Sequence, residues 1–381
     1  MITRILFFAL AVMVFISAPA AKAAEPIKVG AVLSVSGPAS FLGEPERNTL
    51  LLLQDKINAQ GGILGRPLEM IIYDDETEVN KAVLAADRLL KRDRVVAAIG
   101  GTTSGNTLAI MPKFASARIP LVSCAAAEKI VKPVNPWVFK TPQSDRHAVI
   151  KILEHAKSQG YKNIAIITVS DGFGQAGREV LMELIPAHGM NVAADEIYGP
   201  KDTDMTPQLT KIRGLNPDAI VCWGTNPGPA VIARNRVQLA MDTPLYMSHG
   251  VASKRFIELA GDAAEGLILP AGRLAVADQL SEDHPQKAVL QAYIQEYEAR
   301  FNTEVSTFGG YAYDALTLIV EAVRRAGEAT PQAIRDHLEE IHGFVATGGI
   351  FELSAEDHNG LDERAFVIVR IAGGDWELVS D

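Results

Sequence analysis

The residues of this 381-residue chain best suited to chemistry lie in short glycine-rich and acidic runs. The first is Ile99 to Ile110, "IGGTTSGNTLAI", in which Thr102, Thr103 and Ser104 stand between two glycine turns. No Gly-Lys-Ser/Thr follows, so the loop has no cation to neutralise a triphosphate. Ser104 sits in G-T-T-S-G, one residue out of place for a G-x-S-x-G nucleophile elbow. What remains is a strand end feeding a helix N-terminus, where unpaired N–H groups and the helix dipole favour one modest negative charge. Ser and Thr are also common helix caps. An anion site and a capped helix without a ligand therefore both stand on spacing alone.

A second run, "DGFGQAG", places Gly172, Gly174 and Gly177 in the G-x-G-x-x-G pattern after a strand and before a helix, with Asp195 downstream. That is a dinucleotide fingerprint in a plausible local setting. It opens the second half of a chain with an export leader, where nicotinamide cofactors are scarce, and no cofactor is expected. The acidic run "YDDETE" (73–78) reads either as a Ca²⁺ or Mg²⁺ site or as a charged helix start. None of the eight His residues has H-x-x-x-H spacing, the nearest pair being His337 and His342, so no metal site is expected. No nucleophile, base and orienting group form a coherent trio, and no enzyme activity is expected.

A formal net charge of −10 argues against nucleic acid or an anionic membrane surface as partner. The N-terminus, "MITRILFFALAVMVFISAPAAKAAEP", has the parts of a secretory signal: Arg4, an apolar run from Ile5 to Ile16, and Ala21-Lys22-Ala23 as a small-x-small cleavage site. The other reading is a retained anchor, but that run falls well short of the roughly 20 residues that span a bilayer. Residues 1–23 are expected to be removed and the mature chain to be periplasmic. The two cysteines, Cys124 and Cys222, allow one bridge at most and are expected to be buried free thiols.

The elements that position these runs alternate as βαβ units. "IKVGAVL", "LEMIIYDD", "VVAAIG" and "IPLVSC" read as strands. Between them lie helices with Leu50, Leu53 and Ile57 on one stripe, and Val79, Val83, Ala86 and Leu90 on another. A second series, "NIAIITVSDGFG", "NVAADEIY", "AIVCWG" and "PLYMS", repeats the pattern. The fold class is α/β, with two similar lobes in tandem. Residues 286–327 read as two helices, and "GGIFELSAEDHNG" and "AFVIVRIAGGDWELV" as late strand segments.

On "VGAVLSVSGPAS", "INAQGGILGRPLEMIIYDDET", "AAIGGTTSGNTLAI", "IPLVSCAAA", "IAIITVSDGFGQAG" and "AEGLILP", nearly the whole mature chain resembles the exported solute-binding proteins of ABC importers. More narrowly, it resembles the branched-chain amino-acid-binding family with the type I periplasmic fold. The resemblance implies two Rossmann-like lobes joined by three crossover strands, with a ligand cleft between them. Lobe 1 would comprise 24–141 plus 270–366, and lobe 2 would comprise 142–269 plus 367–381. It further implies that Ser104, flanked by Thr103 and Gly105, holds a ligand carboxylate, with Ala125 and Ala127 beside it. Phe41 or Leu42 would form the first-loop wall, with Phe173, Asn226, His249 and Phe308 at further cleft positions. The partners implied are a small carboxylate and inner-membrane permease subunits, with the receptor a monomer.

Two departures from the family pattern bear on the ligand. Ala127 stands where amino-acid binders usually place a Thr, and His249 where they place an acid that pairs with the substrate ammonium. A buried ammonium without an anionic partner would cost several kcal/mol. The expected ligand is therefore an acid lacking an α-ammonium. The segment "AAAEKIVKPVNPWVFKTPQSD" resembles an aromatic-acid-binding branch, which points to benzoate or phenylpropanoid types. Phe41, Phe173, Trp223 and Phe308 would supply ring faces, with Trp223 equally readable as core. The alternatives are a branched-chain or other neutral amino acid, should Glu128 or Asp145 reach the ammonium, or a periplasmic sensing module.

Overall fold

The computed structural model describes residues 25–380. The leader and its cleavage site expected at Ala23 lie outside the described residues. The first series runs β1 (Ile27–Leu33), α1 (Ser40–Ala59), β2 (Leu68–Asp74), α2 (Val79–Arg88), β3 (Ala97–Gly100), α3 (Ser104–Ala117), β4 (Leu121–Ser123) and β5 (Val138–Lys140). The second runs α4 (Asp145–Ser158), β6 (Asn163–Val169), α5 (Gly172–Ala187), β7 (Asn191–Tyr198), α6 (Thr206–Leu215) and β8 (Ala219–Trp223). It continues through α7 (Gly228–Gln238), β9 (Leu245–Met247), α8 (Lys254–Ala260) and β10 (Ile268–Gly272). Three helices follow, α9 (Lys287–Phe301), α10 (Thr307–Ala326) and α11 (Pro331–Leu338). The chain ends in β11 (Phe344–Val345), β12 (Ile350–Phe351), β13 (Phe366–Ala372) and β14 (Asp375–Ser380).

The two main sheets repeat one topology. The first has the order β2-β1-β3-β4-β5, and the second contains β7-β6-β8-β9-β10, extended by β13 and β14. Pairing is parallel except along β10-β13-β14, which is antiparallel. Thus β6 takes the place in its sheet that β1 takes in the first, as the similar strand-turn-helix sequences suggest. Both sheets are buried on two faces, which is why their strands read as near-continuous apolar runs.

Three local expectations change. On α2 the buried residues are Ala82, Ala85 and Ala86, followed by Leu89, while Val79 is exposed; the core stripe is shifted by one position. β5 and β10 are strands that the apolar pattern did not mark. "GGIFELSAEDHNG" contributes only the two-residue strand β12, paired with β11. Cys124 and Cys222 are buried free thiols.

The chain passes between the two main sheets three times: after Lys140, after Gly272 and before Phe366. Side chains tie the passages together. The Gln143 amide donates to Gly348 O (2.6 Å) and Ala365 O (3.2 Å) and accepts from the Tyr311 hydroxyl. Asn359 donates to Lys140 O and Pro142 O, and Arg273 donates to Arg364 O at 2.7 Å. Lys140 is itself buried and donates to Ala126 O and Pro142 O. Burial pushes Lys140 down and the nearby Asp145 up, and each charge partly offsets the other's desolvation. Among the described residues no helix is long and apolar enough to cross a membrane.

Candidate functional site

In doubly wound sheets, ligands bind beyond the carboxyl ends of the strands, and here both sheets present those ends to one cavity of about 480 Å³. From the first lobe it takes residues after β3 (Thr102 to Asn106) and β4 (Cys124 to Ala126). From the second it takes residues after β6 (Asp171 to Phe173), β8 (Thr225, Asn226) and β9 (His249, Gly250). Leu42, Phe308 and Tyr311 complete the apolar wall. The volume suits a small solute, since ligand cavities run to about 300–1,000 Å³.

The hydroxyl loop is a helix N-terminus left open on one side. Thr103 caps α3, its side chain accepting from Asn106 N. The first-turn N–H groups of Ser104 and Gly105 have no intrahelical acceptor. Ser104 Oγ accepts from Ala127 N at 3.4 Å, which leaves its own O–H available as a donor. Behind the loop lie two buried carboxyls. Thr102 accepts from Ser34 N and donates to Glu46. Asp75 accepts from Ser34 Oγ (2.6 Å) and from Asn106 Nδ2 (2.7 Å). Burial pushes Glu46 well above the usual carboxylate range, and Asp75 also upward. The run "YDDETE" thus builds this turn: Asp74 accepts from Ser36 N and Oγ, and Asp75 also from Thr77 N. No cluster of His, Cys, Asp and Glu fit to hold a metal occurs among the described residues.

The glycine fingerprint in the second lobe has a packing explanation. A Cβ on Gly174 would lie 1.8 Å from Val169 O, and one on Gly177 would lie 2.0 Å from Trp223 Nε1. Asp171 caps α5 with its own carboxylate, Oδ1 accepting from Phe173 N (3.0 Å) and Gly174 N (2.9 Å). The first-turn N–H groups of Phe173 and Gly174, which such a fingerprint would offer to a phosphate, are taken by this side chain.

Of the residues the sequence singled out, Thr103, Ser104, Gly105, Ala125, Leu42, Phe173, Asn226, His249 and Phe308 all line the cavity. Phe41 and Ala127 do not. Phe41 meets the Phe308 ring edge-on at 5.9 Å, because on α1 it is Leu42 that turns inward. Ala127 is fully buried beside Ala125 and Ala176, and only its N–H reaches the site, through Ser104. Trp223 is core, tilted behind Phe173 at 5.6 Å. Glu128 is held by Arg146 at 2.9 and 3.0 Å, and Asp145 lies behind the Ala126 carbonyl, so neither lines the cavity. The acid that does line it is Asp171, which sequence reasoning passed over. Its signal was an Asp directly before a helix at the end of β6.

His249 is 2% exposed, with the rings of Phe173, Trp223 and Phe366 at 5.5, 5.6 and 5.3 Å. Burial, with Lys140 and His147 adding to it, pushes its imidazole down to about 3, so it is uncharged at neutral pH.

The periplasmic binding protein family profile matches residues 26–375. A leucine-, isoleucine-, valine-, threonine- and alanine-binding protein of Pseudomonas aeruginosa is 26% identical over 350 residues, 91% of this chain and 90% of that one. An extracellular ligand-binding receptor from Rhodopseudomonas palustris is similar in structure, with a TM-score of 0.88 at 28% identity, covering 93% of this chain and 99% of its own. A branched-chain amino acid transporter substrate-binding protein from Streptococcus pneumoniae, solved with isoleucine, gives 0.83 at 25% identity, covering 94% and 100%. Two doubly wound lobes, a cleft at the strand ends and a match along almost the whole described chain make this protein a member of the periplasmic binding protein family, whose work is to bind solutes.

Proposed function

We propose that the protein is the periplasmic receptor of an ABC importer and closes on a small carboxylate with an apolar, ring-bearing body and no α-ammonium. The observation that carries this reading is His249: a neutral imidazole among three aromatic rings, at the position where the amino-acid binders it resembles place an acid. The open N-terminus of α3 and the Ser104 hydroxyl receive the carboxylate. Phe173, Phe308 and Leu42 cover the ring. Hinge closure then couples binding to docking on the permease, because only the closed form presents both lobes in register.

A second reading, a branched-chain or other neutral amino acid, is favoured by the amino acids that the relatives named above bind and by Asp171. That carboxylate lies on the cavity wall and could meet an ammonium. A thermal-shift series of aromatic acids, aliphatic acids and amino acids separates the two. A ligand at 100 times its dissociation constant adds about 2.7 kcal/mol. Stabilisation by benzoate-type acids supports the first reading; stabilisation by leucine or valine alone establishes the second.

A further inference from the structure

The second lobe's wall carries polar atoms that the protein leaves unsatisfied. Asn226 and His249 both line the cavity and are 6% and 2% exposed. Neither the Asn226 amide oxygen and nitrogen nor the two His249 ring nitrogens have a hydrogen-bond partner. Buried polar groups are almost always paired, and leaving one unpaired costs free energy. Four such atoms on adjacent strand-end loops of a binding cavity mark a place completed by something else. The opposite wall differs: Thr102 and Asn106 are held from behind by Glu46 and Asp75.

We propose that the solute carries, at the end away from its carboxylate, an uncharged group that both donates and accepts hydrogen bonds, in the form of a ring hydroxyl, and that Asn226 and His249 read it together. This rests on the ring-bearing carboxylate reading above. An Asn amide offers donors and an acceptor, and a neutral imidazole offers one of each. A hydroxyl matches that mixture. An ammonium only donates, and would leave the amide N–H and the ring N–H facing it. A second carboxylate only accepts, and would also meet Asp171 on the same wall. A methyl group would leave all four atoms unpaired by the solute.

The test is calorimetric titration of the whole mature chain with matched acids: benzoate, its 3- and 4-hydroxy forms and its 3- and 4-methyl forms, then the same five variants of cinnamate. The expected result is that one hydroxy acid binds at least about tenfold tighter than its methyl counterpart. Asn226→Ala should remove that preference, bringing the affinity for the hydroxy acid down to that for its methyl counterpart in the same variant. The wild-type comparison needs no variant, so a misfolded Asn226→Ala protein, detected by its melting curve, leaves the test intact. Equal affinity for hydroxy and methyl acids overturns the hydroxyl readout and leaves the carboxylate reading standing. Binding of leucine with no aromatic acid bound overturns both.

Discussion

Gly172 of the second lobe rests against Gly105 of the first: a Cβ on Gly172 would stand 3.0 Å from Gly105 Cα and 3.1 Å from its nitrogen. The N-termini of α3 and α5 therefore meet backbone to backbone across the cleft. Gly172→Val should prop the lobes apart and weaken ligand binding by about tenfold, roughly 1.4 kcal/mol. Solution scattering checks the cause: wild type should contract on binding the acid selected by the thermal-shift series, and the variant should contract less. Equal contraction and equal affinity would remove this contact from closure.

Ser104→Ala removes a hydroxyl that accepts from Ala127 N. Its loss should weaken carboxylate binding by about 1.5–3 kcal/mol, the range for a hydrogen bond to a charged group. Titration calorimetry at fixed salt measures it, and unchanged affinity would take Ser104 out of the site.

Asp171→Asn distinguishes the two ligand readings, because Asn caps a helix nearly as well as Asp and the fold should survive. If the ligand lacks an ammonium, removing this negative charge should leave affinity unchanged or raise it. If leucine is the ligand, its affinity should fall by more than about tenfold. Circular dichroism confirms the fold in either case.

Glu46 is buried with its carboxyl pushed up from 4.5 by desolvation, partly countered by its bond from Thr102 and raised further by Asp75. Its folded form holds the proton above the pH at which the unfolded chain releases it. Its contribution to stability therefore falls as pH rises from about 4.5 towards neutrality. Glu46→Gln has no proton to lose, so its melting temperature should gain on wild type across that window. A difference that stays constant with pH would show that Glu46 does not titrate there.

Gly177→Ala should destabilise the second lobe by about 1–3 kcal/mol, since the added methyl would overlap the Trp223 indole at 2.0 Å. Chemical denaturation measures it. A neutral result would mean that Trp223 can move without cost, and the packing explanation of the glycine run would fail.

The doubly wound halves are legible in the sequence because each central strand is buried on both faces and reads as an apolar run, with a hydroxyl or glycine turn leading to the next helix. β5 is not legible, because its three residues end in Lys140, and a buried lysine supported by backbone carbonyls looks like a surface residue. The α2 stripe is misplaced because alanines carry most of its buried face while Val79 is spent at the cavity mouth. In the site, family resemblance gives positions but not side-chain direction. Ala127 and Phe41 lie next to cavity-lining residues but face the core, and Asp171 is hidden inside a motif whose glycines serve packing.

The cap on α5 has a kinetic consequence. For the acid proposed above, Asp171 already occupies the N-terminus of α5 while that of α3 is open, so the two helix ends differ in their attraction for a carboxylate. Capture and retention then divide between the walls. Association should report Ser104 and its loop, while residence time should report the second lobe's later grip. Substitutions on the two sides that cost the same affinity should leave opposite signatures in rapid-mixing traces.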